Sequence, residues 1–171
     1  NVHRLHGRPF PRAVVLPAGE RAKVWRWAEK ILAAALEAGL GRDGRLVGIG
    51  GGGVCDLTAF AASLYMRGCR LILVPTTLLA MVDAALGGKA AVNLGSAKNL
   101  AGTFYPAEEL VIWIPALATL PEAELRCGLA EAIKAALLGD AALLELLRVR
   151  RTDLLLGDPA ALEETIFRCL A

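Results

Sequence analysis

A run of four glycines, at positions 50–53, is the first place where this sequence could bind a ligand. Glycines allow the backbone to approach a phosphate closely, and a helix that follows them offers free N–H groups and the positive end of its dipole. Gly48, Gly50 and Gly53 match the GxGxxG spacing of dinucleotide-binding loops. However, residues 71–77 lack the acidic residue that such loops have about 20 positions later. The run therefore indicates either a phosphate site or a tight turn that needs glycine.

A second candidate is Pro75-Thr76-Thr77, which follows another apolar segment. Open α/β sheets bind their ligands at the carboxyl ends of strands, and this tripeptide would lie at such an end. Either threonine could equally cap the next helix, because a hydroxyl oxygen accepts a hydrogen bond from a free N–H group in a first helical turn. Both interpretations stay open from the sequence.

Polar residues gather in otherwise apolar surroundings between positions 83 and 99. Asp83 interrupts an apolar helical segment, where burying a carboxylate is costly unless the group is paired or acts on a ligand. Two lysines and two asparagines follow near glycines, which suits a phosphorylated or carboxylated substrate. Each charge by itself could instead belong to a solvated loop. The cluster consists of Asp83, Lys89, Asn93, Lys98 and Asn99.

Glu131 and Lys134 stand three residues apart in a segment rich in leucine and alanine. Their spacing places both on one helix face, where they form either an exposed ion pair or part of a site. A metal site would need further ligands, because this helix supplies only one carboxylate.

Continuous apolar strands alternate with helices in the first part of the chain, which predicts a mainly parallel sheet covered on both faces. The pattern then becomes helical, so we expect an α/β domain over 1–117 and the start of a helical domain over 118–171. The predicted strands are 14–16, 45–49, 70–74 and 110–114. The predicted helices are 20–40, 56–67, 76–86, 121–147 and 159–171, with a loop or hairpin at 87–99.

Composition excludes several classes of protein. The chain is 56% hydrophobic and 21% charged, which excludes a disordered chain. A net charge of +2 without basic clusters gives no sign of nucleic-acid binding or of a membrane anchor. The longest uncharged runs, 71–82 and 110–121, are shorter than the roughly 20 residues of a membrane span and contain proline. Four cysteines without a CxxC pair predict small buried residues in a reducing, cytoplasmic compartment.

In their order and spacing, several segments resemble the 3-dehydroquinate synthase family from about residue 16 to residue 147. These are PAGERAK (17–23), GGGGVCDLTAFAASLYMRG (50–68), VPTTLLAMVDAALGGKAAVN (74–93), AKNLAGTFYP (97–106) and TLPEAELRCGLAEAIK (119–134). The resemblance implies a Rossmann-like NAD-binding domain followed by a helical metal and substrate domain. It also implies a lyase of the shikimate pathway that uses catalytic NAD and a divalent zinc or cobalt ion. The substrate would be 3-deoxy-D-arabino-heptulosonate 7-phosphate, and the products 3-dehydroquinate and phosphate.

The resemblance also implies roles for individual residues. Glu131 matches the carboxylate metal ligand, and Arg67 matches an arginine that reaches the phosphate of a neighbouring subunit's substrate, which implies a homodimer. The other residues implied in catalysis or substrate binding are Asp83, Lys89, Asn99 and Lys134. The residues implied in cofactor binding are Glu20, Lys23, Gly51, Gly52, Gly53, Asp56, Thr76, Thr77, Asp83, Lys98, Thr119, Leu120 and Glu124.

Three positions depart from the family pattern: Gly53 replaces a valine, while Cys55 and Ala97 replace glycines. An alanine at position 97 matters if its φ is positive. The family's two metal histidines are expected beyond residue 171. His3 and His6, the only histidines here, belong to an unmatched leader, and we interpret their HxxH spacing as accidental. We therefore expect the 171 residues alone to be inactive.

Three alternatives remain beside the synthase. One is a related NAD- and metal-dependent polyol dehydrogenase of the glycerol or iron-dependent alcohol type. Another is an aminocyclitol-forming sugar-phosphate cyclase. The third is a non-catalytic nucleotide-binding fragment. The GGK at 87–89 and the GLAEAIK at 128–134 favour the synthase.

Overall fold

The structure is a computed structural model that describes residues 4–5, 8–9 and 13–171. His3 and His6 lie outside the described residues. The chain begins with two short antiparallel strands, β1 (Arg4–Leu5) and β2 (Arg8–Pro9). Among the described residues, no helix is both long and apolar enough to cross a membrane.

A parallel sheet of three strands lies beneath the candidate site, as the apolar runs predicted. Its order is β3 (Arg45–Gly50), β4 (Arg70–Pro75) and β7 (Glu109–Leu110). The predicted cover on both faces is wrong for β3, where Val47 and Ile49 are exposed. Gly50 is in register with Pro75, so the carboxyl ends of β3 and β4 lie side by side. The predicted strand 110–114 is wrong beyond Leu110, because a 3-10 helix, Ile114–Thr119, begins soon afterwards.

The predicted strand 14–16 is also wrong. Val14 and Leu16 pack against the core without pairing to a strand, and Val15 between them is 81% exposed. A 3-10 turn, Gly19–Ala22, follows and replaces the predicted beginning of the first helix. Helix α1 (Trp25–Glu37) starts only after Val24, whose extended backbone bridges to Asn93.

Helix α2 (Gly52–Leu64) begins inside the glycine run, four residues earlier than predicted. A 3-10 turn, Tyr65–Arg67, leads from α2 to β4, and Met66 and Arg67 adopt positive φ there. After β4, the helix predicted over 76–86 is shorter in the structure. Only residues 78–84 are helical, and this turn contains the π-helix Ala80–Ala84. The predicted loop or hairpin 87–99 is an antiparallel hairpin of β5 (Lys89–Leu94) and β6 (Ala97–Phe104).

The last part of the described chain is helical, as predicted, but the expected continuous helix 121–147 is wrong. Helix α3 (Glu122–Gly139) ends before Asp140, whose Oδ1 accepts a hydrogen bond of 2.9 Å from the Leu143 N–H and so caps α4 (Ala141–Val149). Helices α5 (Arg151–Leu155) and α6 (Pro159–Leu170) complete this layer.

Two apolar clusters hold these elements together. One joins α1, α2 and the sheet through buried residues such as Leu57, Phe60 and Leu71. The other joins the helical layer to the turn that follows β4, because Leu78 and Met81 are completely buried against α3 and its neighbours. The turn that carries Asp83 is therefore packed between the two parts of the fold.

Candidate functional site

A cleft of about 1060 Å³ opens where β3 and β4 end. The glycine turn forms its floor, the β5–β6 hairpin forms one wall, and the turn after β4 together with the start of α3 forms another. Of the residues that the sequence implied for the site, twelve line this cleft: Glu20, Lys23, Gly51, Gly52, Gly53, Asp56, Thr77, Asp83, Lys89, Asn99, Leu120 and Glu124.

The glycine turn starts α2 without a capping side chain. The N–H groups of Val54 and Cys55 bond to the Gly51 carbonyl, whereas the earlier N–H groups of the helix have no partner within it. A Cβ at Gly53 would lie 2.9 Å from the Gly19 carbonyl oxygen, and one at Gly52 would lie 3.0 Å from Ala84 Cβ. The turn thus needs glycine for its own packing and also presents a free helix N-terminus to the cleft.

Lys23 lies under the cleft and is only 4% exposed. Its Nζ donates hydrogen bonds of 2.5 Å to Asp56 Oδ2 and to Asn99 Oδ1, so it joins α2 to the hairpin. Burial raises the pKa of Asp56, although the hydrogen bond and charge of Lys23 act in the opposite direction. Lys23 and Asp56 therefore form a largely desolvated ion pair, and removal of either side chain would leave the charge of the other unpaired.

The hydrogen-bonded chain continues from Asn99 to the 3-10 turn. The Asn99 N–H donates to Asn93 Oδ1, and Asn93 Nδ2 donates to Glu20 Oε2, both at 2.9 Å. Asn99 has a φ of 55°, a left-handed conformation that asparagine tolerates better than most residues. The sequence marked Asn93 only as part of a polar cluster and gave it no role.

Two ion pairs stand at the other end of the site. Lys89 Nζ lies 2.8 Å from Asp83 Oδ1, and Lys134 Nζ lies 2.6 Å from Glu131 Oε2. The hydrogen bond to Glu131, with the charges of Glu131 and Asp83, raises the pKa of Lys134. Asp83 and Lys134 come from different helical segments.

Six residues that the sequence implied do not line the cleft: Arg67, Thr76, Lys98, Thr119, Glu131 and Lys134. Thr76 uses its N–H to bond the Gly50 carbonyl. Thr77 does line the cleft, and its Oγ1 also accepts the Ala80 N–H at 3.2 Å, so it caps the turn as well. Arg67 precedes the amino end of β4, and a strand of six residues, about 20 Å long, separates it from the cleft.

Sequence reasoning missed the wall that β6 contributes. Leu100, Thr103 and Phe104 line the cleft, and Phe104 is 79% exposed. Their signals were their position soon after Lys98 and Asn99 and their place in the resembling segment 97–106, but the sequence did not distinguish a hairpin from a loop. Ala97 carries no strain, since the positive φ in this region belongs to Gly95 and Asn99.

The described residues do not form a metal site by themselves. No group of three or more His, Cys, Asp or Glu side chains among them could hold an ion. The four cysteines are unpaired, and burial raises the pKa of Cys55 to about 12, so its thiol stays protonated. The prediction of buried cysteines is wrong for Cys127, which is exposed on α3, and for Cys169, which is only half-buried.

A parallel sheet with a cleft at its strand ends, joined to a helical layer, defines the class of open-sheet α/β proteins that hold ligands between two structural parts. The protein-family model described as 3-dehydroquinate synthase N-terminal matches residues 13–127 of this chain. A 3-dehydroquinate synthase of Thermodesulfovibrio yellowstonii is 43% identical over 158 residues, which are 92% of this chain and 44% of that protein. The chain belongs to the 3-dehydroquinate synthase family.

Solved structures show the same fold. The 2-epi-5-epi-valiolone synthase of Streptomyces hygroscopicus subsp. jinggangensis 5008, with NAD⁺ and Zn²⁺ bound, is 36% identical and has a TM-score of 0.85. The match covers 90% of this chain and 44% of that structure. A 2-deoxy-scyllo-inosose synthase complexed with carbaglucose-6-phosphate, NAD⁺ and Co²⁺ is 35% identical, with a TM-score of 0.66 over 69% of this chain and 32% of its own. The chain thus spans less than half the length of these relatives.

Proposed function

We propose that the chain is part of a 3-dehydroquinate synthase, a phosphate-eliminating lyase that converts 3-deoxy-D-arabino-heptulosonate 7-phosphate to 3-dehydroquinate. The observation that carries the proposal is the cleft itself, in which an uncapped helix N-terminus shares one space with Asp83 and Lys89. A nucleotide pyrophosphate and a phosphorylated sugar acid both need this kind of surface. The family membership and the 43% identity to a synthase support the same choice.

NAD fits the floor of the cleft. The free N–H groups of the first turn of α2 would hold its pyrophosphate, and the buried Lys23–Asp56 pair would fix the helix that presents them. Bound NAD would supply a reversible acceptor for a hydride from a ring hydroxyl of the substrate. The full set proposed for the cofactor is Glu20, Lys23, Gly51, Gly52, Gly53, Asp56, Thr76, Thr77, Asp83, Lys98, Thr119, Leu120 and Glu124.

The substrate would lie against the ion pairs. Asp83 Oδ1 accepts a hydrogen bond from the Lys89 ammonium group and keeps that cation at the cleft, where it can bind an anionic group of the sugar acid. Lys134 keeps its proton strongly because its pKa is raised, which suits a second cationic contact. Asn99 completes the proposed substrate set from the hairpin.

Glu131 is proposed as one ligand of a divalent metal, either zinc or cobalt. It is a carboxylate on a helix rich in leucine and alanine, and it is paired with Lys134. Relatives with bound Zn²⁺ or Co²⁺ support a metal in this family. A catalytic zinc ion usually has three protein ligands, and the described residues include no group of three or more His, Cys, Asp or Glu side chains that could hold an ion. We keep the expectation that the 171 residues alone lack turnover.

Arg67 is proposed to act in a homodimer. It is exposed, and it lies at the end of the sheet opposite to the cleft. An arginine in this position is too far away to serve its own subunit's cleft, but it is free to enter that of a neighbour. We also propose the division into 1–117 and 118–171 and a cytoplasmic location.

The test of this proposal is calorimetry of NAD on the full-length protein. Gly51→Leu should abolish measurable binding, since even a Cβ at Gly51 would lie 3.2 Å from Thr77 Cγ2 and the rest of leucine would fill the turn. Gly139→Leu is the matched control, because nothing lies within 4 Å of a Cβ there. Unchanged NAD affinity in Gly51→Leu would show that NAD does not bind at the glycine turn.

A further inference from the structure

Asn93 lies behind the cleft and joins three segments that shape it. It is at an irregularity of the β5–β6 pairing, where the register shifts between Val92 and Leu94. Its N–H donates to the Lys23 carbonyl at 2.8 Å, its Oδ1 accepts from the Asn99 N–H, and its Nδ2 donates to Glu20 Oε2. Asn93 does not itself line the cleft, whereas its three partners do.

The two side-chain bonds of Asn93 require a side chain that both donates and accepts hydrogen bonds. Glu20 offers a carboxylate, which only accepts hydrogen bonds, so its partner must be a donor. Asn99 offers a backbone N–H, so its partner must be an acceptor. Asparagine supplies both on one short side chain, and this requirement also fixes which end of the amide faces which partner.

We propose that Asn93 is a positioning residue for the nucleotide side of the cleft. It holds the Glu20 carboxylate on the 3-10 turn and the left-handed backbone of Asn99 at a fixed separation. Asn99 Oδ1 in turn accepts a hydrogen bond from Lys23 Nζ, which also donates to Asp56, so the network extends from Asn93 to α2. The wall is thus preformed before a ligand arrives, which lowers the cost of ordering it on binding. The inference rests on the proposed function, because it assumes that this wall binds NAD.

The test is a double-mutant cycle between Asn93→Ala and Glu20→Ala in the full-length protein, read by calorimetry of NAD. Asn93→Ala should weaken NAD binding about tenfold, the size expected for losing a hydrogen bond to a charged group. In the Glu20→Ala background the same change should weaken binding by less than about threefold, since one of its two partners is already gone. At saturating NAD and substrate, kcat of Asn93→Ala should fall by less than the NAD affinity does, because Asn93 itself touches no reacting group and only its partner Asn99 belongs to the proposed substrate set.

Ser96→Ala is the control, since Ser96 is exposed on the same hairpin and does not line the cleft. Thermal melting of each variant checks that it is folded, and Asn93→Ser, which keeps a hydroxyl donor and acceptor, provides a second variant that should recover part of the affinity. NAD affinity in Asn93→Ala equal to that of Ser96→Ala would overturn the inference alone. Equal effects of Asn93→Ala in both backgrounds, or a loss of kcat as large as the loss of affinity, would also overturn it. Absence of NAD binding by the unchanged protein would overturn the proposed function and the inference with it.

Discussion

Gly128 on α3 lies against the turn that carries Asp83. A Cβ at this position would lie 2.6 Å from Leu78 Cβ and 2.7 Å from the Leu79 backbone nitrogen. Leu78 is completely buried, and a backbone atom has no rotamer by which to move away. Gly128→Ala must therefore push the turn and α3 apart by about 1 Å to reach an ordinary contact.

The expected change in stability follows from two opposing effects. Overpacking of this kind costs about 3 kcal/mol, whereas replacing a helical glycine by alanine gains about 1 kcal/mol. Gly128→Ala should thus lower the free energy of unfolding by about 2 kcal/mol. The turn is also held from its other side, because Gly52 of α2 packs on Ala84. Moving it should displace Asp83, so ligand binding should weaken together with stability.

Urea unfolding of Gly128→Ala and Gly139→Ala provides the measurement. Gly139 belongs to the same helix, but a Cβ there meets nothing within 4 Å, so this control should be as stable as the unchanged protein or up to about 1 kcal/mol more stable. Calorimetry of NAD on both variants then shows whether the strain reaches the cleft. Gly128→Ala as stable as Gly139→Ala would refute the reasoning about the turn.

Three further changes test other parts of the structure. Lys23→Met leaves the half-buried Asp56 carboxylate unpaired and should cost about 2 kcal/mol at neutral pH. Since the pKa of Asp56 is raised in the folded protein, folding favours its protonated form, and stability falls as the pH rises. Lys23 opposes this shift, so the variant's free energy of unfolding should fall more steeply than the parent's between about pH 4 and about pH 7. Parallel pH profiles of the two proteins in urea unfolding would argue against this. Glu131→Gln should lose metal and activity together, and stoichiometric metal by elemental analysis would leave Glu131 as a partner of Lys134 only. Inactive Arg67→Ala and inactive Lys89→Ala, once mixed, should recover about a quarter of the activity through hybrid dimers; no recovery despite proven subunit exchange would remove Arg67 from the neighbour's site.

The sheet and the cleft floor could be predicted because their signals are local. Apolar runs ending in glycine or proline located β3 and β4, and the glycine run located the start of the next helix to within four residues. The break between α3 and α4 also had a local signal, a glycine followed by the capping residue Asp140, which outweighs the apolar periodicity on either side. By contrast, Val14 and Leu16 pack against the core without belonging to a strand, and the exposed Val15 between them completes an apolar run that only resembles one.

The connections within the site could not be predicted because they depend on tertiary packing. Lys23 donates hydrogen bonds to Asp56 and Asn99, which lie 33 and 76 positions away in sequence. Nothing near Lys23 in sequence indicates that its side chain is buried. Asn99 could be selected by resemblance, but its left-handed backbone depends on the hairpin register and on Asn93. The resemblance could thus propose roles for single residues, whereas the network that fixes their positions could not be predicted.

The most direct test of the central claim is turnover by the full-length protein with 3-deoxy-D-arabino-heptulosonate 7-phosphate, NAD and zinc or cobalt. Phosphate and 3-dehydroquinate are measured together with the absorbance of NADH. The proposed function predicts equal amounts of the two products, dependence on NAD, and no accumulation of NADH, since the hydride returns to the substrate. NADH rising in proportion to substrate consumed, with no release of phosphate, would show a dehydrogenase and contradict the synthase assignment.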